Sequence, residues 1–152
     1  MTRGRLVHQI ELKRKGGNNS MKSVLLVDDD NTVLLSIGVR LKRMGYTVYT
    51  AKDAVSAVSA VVKNNPDVVV LDVSLPAGDG FLVAGRLQKL VSAGATPIIF
   101  ITSSENPVLR ERAMLMGAAA FFTKPFDATA LADAVESALS GGDNWMPRVS
   151  GL

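Results

Sequence analysis

A chain of 152 residues, 47% hydrophobic and 20% charged, can fill one core but is too short for two ordinary domains. It contains no cysteine, which excludes disulfides and thiolate chemistry and fits a cytoplasmic setting. No apolar stretch approaches the roughly 20 residues of a membrane span, and the N-terminus lacks the apolar run of a secretory signal. The net charge of +3 hides an asymmetry. Arg3, Arg5, Lys13, Arg14, Lys15 and Lys22 stand against Glu11 alone, so a basic leader precedes a slightly acidic remainder.

Residues 1–21 are expected to be a disordered leader. Basic charge of this kind can attract nucleic acid or anionic lipid. With no aromatic side chain interleaved, a solvated tail is the simpler expectation, as is a start codon placed upstream of a true beginning at Met21. His8, the one histidine, belongs to this leader. From Lys22 onward, apolar runs and helical patterns alternate.

The first strand is predicted over Ser23–Val27, and Leu34, Ile37, Gly38 and Leu41 share a face of the helix that Gly45 stops. A short strand over Thr47–Ala51 leads to a helix with Ala54, Ala57, Val58 and Val61 inward, ended by Asn64-Asn65-Pro66. The third strand, Val68–Leu71, is followed by the turn-rich loop Leu75-Pro76-Ala77-Gly78-Asp79-Gly80. That loop opens a helix in which Val83, Leu87, Leu90 and Val91 align. The fourth strand is predicted over Pro97–Ile101, running into Thr102-Ser103-Ser104.

Asn106-Pro107 caps a fourth helix, with proline at its first position. Leu109, Ala113 and Met116 face inward there, and Gly117 closes it. A fifth strand over Ala119–Phe122 precedes Thr123-Lys124-Pro125. The last helix runs from about Asp127 to Leu139, burying Leu131, Val135 and Ala138, and Gly141-Gly142 terminates it. Five strand–helix pairs in alternation imply an α/β fold, a parallel sheet wound on both faces by five helices. Residues 22–140 form the expected domain, and 141–152 a short tail with no room for an output domain.

Two apolar runs end in acid, Val24–Val27 at Asp28-Asp29-Asp30 and Val68–Leu71 at Asp72. Open parallel sheets bind ligands beyond the carboxyl ends of their strands. Carboxylates gathered there repel one another unless a hard cation such as Mg²⁺ neutralises them. Thr102 and Lys124 are delivered to the same rim. An aspartate that can attack phosphorus, a metal, a hydroxyl and an ammonium suit phosphoryl transfer to a carboxylate, which needs positioning and charge neutralisation. Each residue also has a plainer use: the acids as a helix cap, Thr102 as a turn residue, Lys124 as a strand-end charge, Phe121 as core.

At these positions the sequence resembles the receiver domain of bacterial response regulators. The resemblance covers about Lys22 to Leu139. It rests on the acid pair after the first strand, Leu71-Asp72 with Leu75-Pro76, Gly80 opening the third helix, Thr102, and Lys124-Pro125. It implies the sheet order 2-1-3-4-5. It also implies Asp72 as phospho-acceptor, and Asp28, Asp29, Asp72 and the backbone carbonyl of Ser74 as Mg²⁺ ligands. Thr102 and Lys124 would contact the phosphoryl group, Phe121 would be the switch aromatic, and the Lys124-Pro125 bond would be cis. The implied partners are a histidine kinase or histidine phosphotransfer protein, with a downstream protein target.

A phosphorylation-linked homodimer is a further expectation. Direct DNA binding is not expected, since no helix-turn-helix follows the domain, nor is membrane association, since no apolar stretch is long enough to span. Ser103 departs from the family's usual small residue, Ser74 and Ser104 occupy positions that vary with phosphoryl lifetime, and Phe121 lacks the common tyrosine's hydroxyl. Two alternatives stand beside this one. Asp28-Asp29-Asp30-Asn31-Thr32 also fits the signature of haloacid-dehalogenase-like phosphatases, with Asp28 as nucleophile, Asp30 as acid–base and Thr102 in a second motif. A receiver-like interaction module that is never phosphorylated would be expected to lack Asp29, Asp72 or Lys124, and all three are present.

Overall fold

In the computed structural model, residues 22–75, 78–90 and 96–140 are described. The expectations for the leader and His8, for Pro76-Ala77, for Val91, and for the tail with Gly141-Gly142 lie outside them. Five parallel strands form the sheet: β1 (Ser23–Val27), β2 (Thr47–Ala51), β3 (Val68–Asp72), β4 (Ile98–Thr102) and β5 (Ala120–Thr123). Their order is β2-β1-β3-β4-β5, as the resemblance implied. The helices are α1 (Asn31–Arg43), α2 (Ala54–Asn64), α3 (Gly80–Leu90), α4 (Pro107–Leu115) and α5 (Ala128–Leu139).

The central strands are apolar throughout because both their faces are covered. Val24, Leu26, Val68, Val70, Ile99 and Ile101 point into one core, shared with α1 and α5. Leu25, Val27, Val69, Leu71, Ile98 and Phe100 point into the other, shared with α2, α3 and α4. Period-two alternation thus divides each strand between two layers. Helix starts are fixed by side chains: Asp30, Asp53, Asn106 and Asp127 each accept a backbone N–H of the first turn. Gly45 ends the α1 connection with φ 96°, a conformation glycine adopts without steric cost.

Boundaries moved slightly from expectation. β4 and β5 each begin one residue later and end one later, at Thr102 and Thr123, so Thr102 belongs to the ladder itself. Ser74–Leu75 pairs antiparallel with Gly78–Asp79, giving the turn-rich loop a two-residue ladder of its own. Leu90, expected inward, is 49% exposed, at the end of α3 where a helix face drifts off the core. The Lys124-Pro125 peptide is cis.

Candidate functional site

The strand register brings the carboxyl ends of four strands level. Val27 is opposite Leu71, Asp72 opposite Ile101, and Thr102 opposite Thr123. Backbone bonds continue one residue past these ends: Asp28 N–H to Ala51 at 3.0 Å, Val73 N–H to Ile101 at 2.9 Å, Lys124 N–H to Thr102 at 2.7 Å. Asp28, Asp72 and Lys124 are therefore held by the ladder, not by a free loop.

Around that rim the side chains converge. Asp28, Asp72 and Thr102 are the buried polar residues among those described, at 1%, 3% and 0% exposure. Lys124 Nζ lies 2.7 Å from Asp28 Oδ2 and 3.2 Å from Asp72 Oδ2. The other oxygens are held by backbone: Asp28 Oδ1 accepts Asp30 N–H at 2.9 Å, and Asp72 Oδ1 accepts Ser74 N–H at 2.9 Å. Asp29 is exposed, yet one oxygen from each of Asp28, Asp29 and Asp72 falls within a 4.8 Å span. The Thr102 hydroxyl oxygen accepts Ser104 N–H at 3.1 Å. Phe121 sits apart from the acids, half-buried on the α4 side of the sheet.

Charge is unbalanced in this pocket. Burial raises the Asp28 pKa above its ordinary 3.8, and the Asp72 charge adds to the rise; contacts with Lys124 and the Asp30 N–H oppose it without cancelling it. Burial works against the Lys124 ammonium, but Asp28 and Asp72 together outweigh it and hold its pKa above 10.5. Asp28 Oδ2 is buried and accepts no hydrogen bond in good geometry, since the ammonium reaches it off-line as an ion pair. A buried carboxylate oxygen in that condition has capacity for another cationic partner. Three carboxylate oxygens so close form a hard, all-oxygen donor set, the kind Mg²⁺ takes. The acid cluster fits such an ion.

Gly80 is one mark of the resemblance, but its contact is not readable from the sequence, nor are those of two arginines. Gly80 packs on the backbone beside Asp72, and a Cβ there would lie 2.5 Å from the Asp72 carbonyl oxygen. Arg110 and Arg112 of α4 reach toward Phe121 and Phe81; no spacing signal foretells contacts between segments so far apart. Asp30 is occupied capping α1 through Thr32 N–H at 2.9 Å. β5 delivers Thr123 and Lys124, not the further acid that a dehalogenase-like phosphatase requires.

A doubly wound sheet with an acidic pocket at the ends of β1 and β3 and a lysine from the end of β5 is an α/β domain whose charged groups gather at the carboxyl rim, where open parallel sheets bind ligands. The response regulator receiver domain model matches residues 24–136, and the chain belongs to that family. Its domains are signalling domains that bind Mg²⁺ at an acidic pocket. Among solved structures it is similar to the non-phosphorylated HemR receiver domain from Leptospira biflexa, at 33% identity over 78% of this chain and 94% of that one, TM-score 0.72. It is also similar to the chemotaxis protein CheY4 of Vibrio cholerae, at 27% identity over 77% and 98%, TM-score 0.71. A CheY-like receiver domain protein from Methanospirillum hungatei JF-1, at 24% identity over 80% and 95% with TM-score 0.74, shares the fold. Among the described residues no helix is long and apolar enough to cross a membrane.

Proposed function

We propose that this protein is a phospho-accepting response regulator in which Asp72 takes a phosphoryl group from a histidine kinase or histidine phosphotransfer protein, in the cytoplasm. The supporting observation is the contact of Lys124 with the buried Asp28 and Asp72, two of the three acids of the cluster. The P–N bond of the donor phosphohistidine breaks as an Asp72 oxygen bonds to phosphorus. The departing imidazole nitrogen keeps the bonding pair. A carboxylate nucleophile has no proton to give up as it bonds to phosphorus, so the step needs no general base.

Asp28, Asp29, Asp72 and the Ser74 carbonyl would hold Mg²⁺, which neutralises charge on the acids and on the incoming phosphoryl oxygens. The chain's own residues do the rest. Ser74 N–H fixes one Asp72 oxygen, which aims the other. Lys124 carries a charge that can pass from the carboxylates to a phosphoryl oxygen without leaving the pocket. The Thr102 hydroxyl stands at the adjacent strand end and would donate to a second oxygen. Phe121 then changes its packing between β5 and α4, shifting an equilibrium that a partner protein reads. The domain acts as a signalling acceptor, not a turnover enzyme, and phosphorylation-linked pairing of two copies is part of the same proposal.

Acetyl phosphate with Mg²⁺, followed by intact-mass measurement, tests it directly. One phosphoryl group is expected on the wild type and none on Asp72→Ala or after chelation. No incorporation into wild type, or equal incorporation into Asp72→Ala, would overturn it. Hydrolysis of p-nitrophenyl phosphate lost in Asp30→Ala but kept in Asp72→Ala would restore the phosphatase alternative.

A further inference from the structure

Helix α4 has little apolar grip on the sheet. Ala113 is its one buried residue, with Leu109 and Met116 partly buried beside it, while Val108, Met114 and Leu115 are exposed. The neighbouring α3 buries five residues over a similar length. What α4 has instead is a pair of arginines flanking that narrow stripe. Residues two apart project about 200° from one another around a helix. Arg110 and Arg112 therefore leave α4 on opposite flanks, with Leu109, Ala113 and Met116 in the arc between them.

Each arginine lands on one end of a row of rings. Phe81 and Phe100 lie 5.2 Å apart, centroid to centroid, and Phe100 is directly paired with Phe121 across β4 and β5. All three belong to the core under α4. The Arg110 guanidinium sits 5.0 Å from the Phe121 centroid, and that of Arg112 sits 4.6 Å from the Phe81 centroid. Arg112 also pairs with Asp79 Oδ2 at 3.4 Å, while Asp79 Oδ1 accepts Phe81 N–H at 2.8 Å at the start of α3. One carboxylate thus joins α4 to the loop whose Gly80 lies on the backbone of Asp72 and Val73.

We propose that Arg110 and Arg112 are positioning residues that clamp α4 onto the Phe81–Phe100–Phe121 row, coupling the Asp72 loop on one side and β5 on the other to this helix. The coupling rests on the reading of Asp72 as acceptor; the clamp does not. Guanidinium planes on rings hold an orientation that a lysine point charge holds less well. Removing the Arg110 contact frees Phe121 to change its packing, so activation becomes easier.

Hydrogen exchange of the α4 amides, without Mg²⁺ or phosphodonor, tests the clamp in wild type, Arg110→Gln, Arg112→Gln and Arg112→Lys. Loss of either ring contact is expected to speed exchange over residues 109–116 by about three- to tenfold, with β1 and β3 unmoved and Arg112→Lys intermediate. Titration with beryllofluoride and Mg²⁺, followed by amide shifts, tests the coupling. The half-saturating concentration in Arg110→Gln is expected to fall about threefold. Unchanged α4 exchange in both glutamine variants overturns the clamp. Faster exchange with an unchanged or raised half-saturation overturns the coupling. If wild type gives no beryllofluoride response, the acceptor reading fails and the coupling with it, while the exchange comparison still upholds or removes the clamp.

Discussion

Two glycines of α3 should respond to the same substitution with opposite signs. A Cβ on Gly80 would stand 2.5 Å from the Asp72 carbonyl oxygen, 2.6 Å from Val73 Cα and 2.9 Å from the Val73 carbonyl oxygen. All three are backbone atoms, so no side chain can rotate away. The same substitution at Gly85 meets nothing within 4 Å. In the helix interior, alanine is favoured over glycine by about 1 kcal/mol. Gly85→Ala is therefore expected to stabilise by nearly that amount. At Gly80 the gain from a stiffer unfolded chain, about 0.4–1 kcal/mol, is opposed by overpacking against rigid backbone, which costs about 1–3 kcal/mol. The shift also strains the Gly80 N–H bond to Val73, now 2.8 Å. A net loss of about 2 kcal/mol results.

Urea unfolding reads both variants. With a slope of about 1.5 kcal/mol/M, the Gly80→Ala midpoint should fall by about 1.3 M and the Gly85→Ala midpoint rise by about 0.7 M. Because the clash falls on the backbone of Val73 and of Asp72, the proposed acceptor, Gly80→Ala should also weaken beryllofluoride binding, and Gly85→Ala should not. Equal midpoints for Gly80→Ala and wild type, or shifts of one sign for both variants, would refute the close approach.

Asp28→Asn should separate stability from function. In chelator, a raised Asp28 pKa means the folded state holds its proton more tightly, so wild-type stability falls as pH rises above 3.8 through the folded value. The variant escapes that loss: it should be more stable than wild type at neutral pH, with the difference closing below pH 3.8. Free Mg²⁺ at tenfold its Kd should then add about 1.4 kcal/mol to wild type only; a variant less stable at neutral pH in chelator would contradict the assignment. Tyr46, 3% exposed, buries a hydroxyl with no hydrogen-bond partner between α1 and α5, and burial followed by the Glu136 charge raises its pKa above 10.0. Tyr46→Phe removes that oxygen without leaving a large void, so thermal or urea unfolding should show a change between zero and about +1 kcal/mol; a clear loss would reveal a partner for the hydroxyl.

Much of the sheet was legible because burial on both faces writes itself into β1, β3 and β4 as unbroken apolar runs. The acids at the ends of β1 and β3 were legible for the complementary reason, being charge where a buried strand stops. What separated Asp29 from Asp30 was not in the pattern. Both follow Asp28, and only the chain's turn assigns Asp30 to the α1 cap and leaves Asp29 within reach of Asp72. The reciprocal Asp53–Ser56 cap had a readable spacing and was missed. The arginine contacts had none, since side chains on α4 meet rings from α3 and β5 only after the sheet has closed. Boundaries slipped by one residue at β4 and β5 alike, where the ladder runs on into Thr102 and Thr123, polar residues that the apolar pattern leaves out of a strand.

The placement of rigidity in this molecule follows its charge. Two buried carboxylates face one ammonium, an imbalance that costs stability and is held because the donating strands are themselves almost entirely buried. Asp28 and Asp72 follow directly on runs that are fully or almost fully buried. A loosely held pocket of this kind would relax by swinging an acid into water, and the grouping of Asp28, Asp72 and Lys124 would go with it. The helix that lacks such packing, α4, lies over Phe100 and Phe121 on the strands that end at Thr102 and at Thr123, next to Lys124. If an element is to move when the charge at the rim changes, the least buried one beside that rim costs least to displace. Stiff strands under the acids and a weakly seated helix over β4 and β5 are thus two consequences of one distribution of apolar residues.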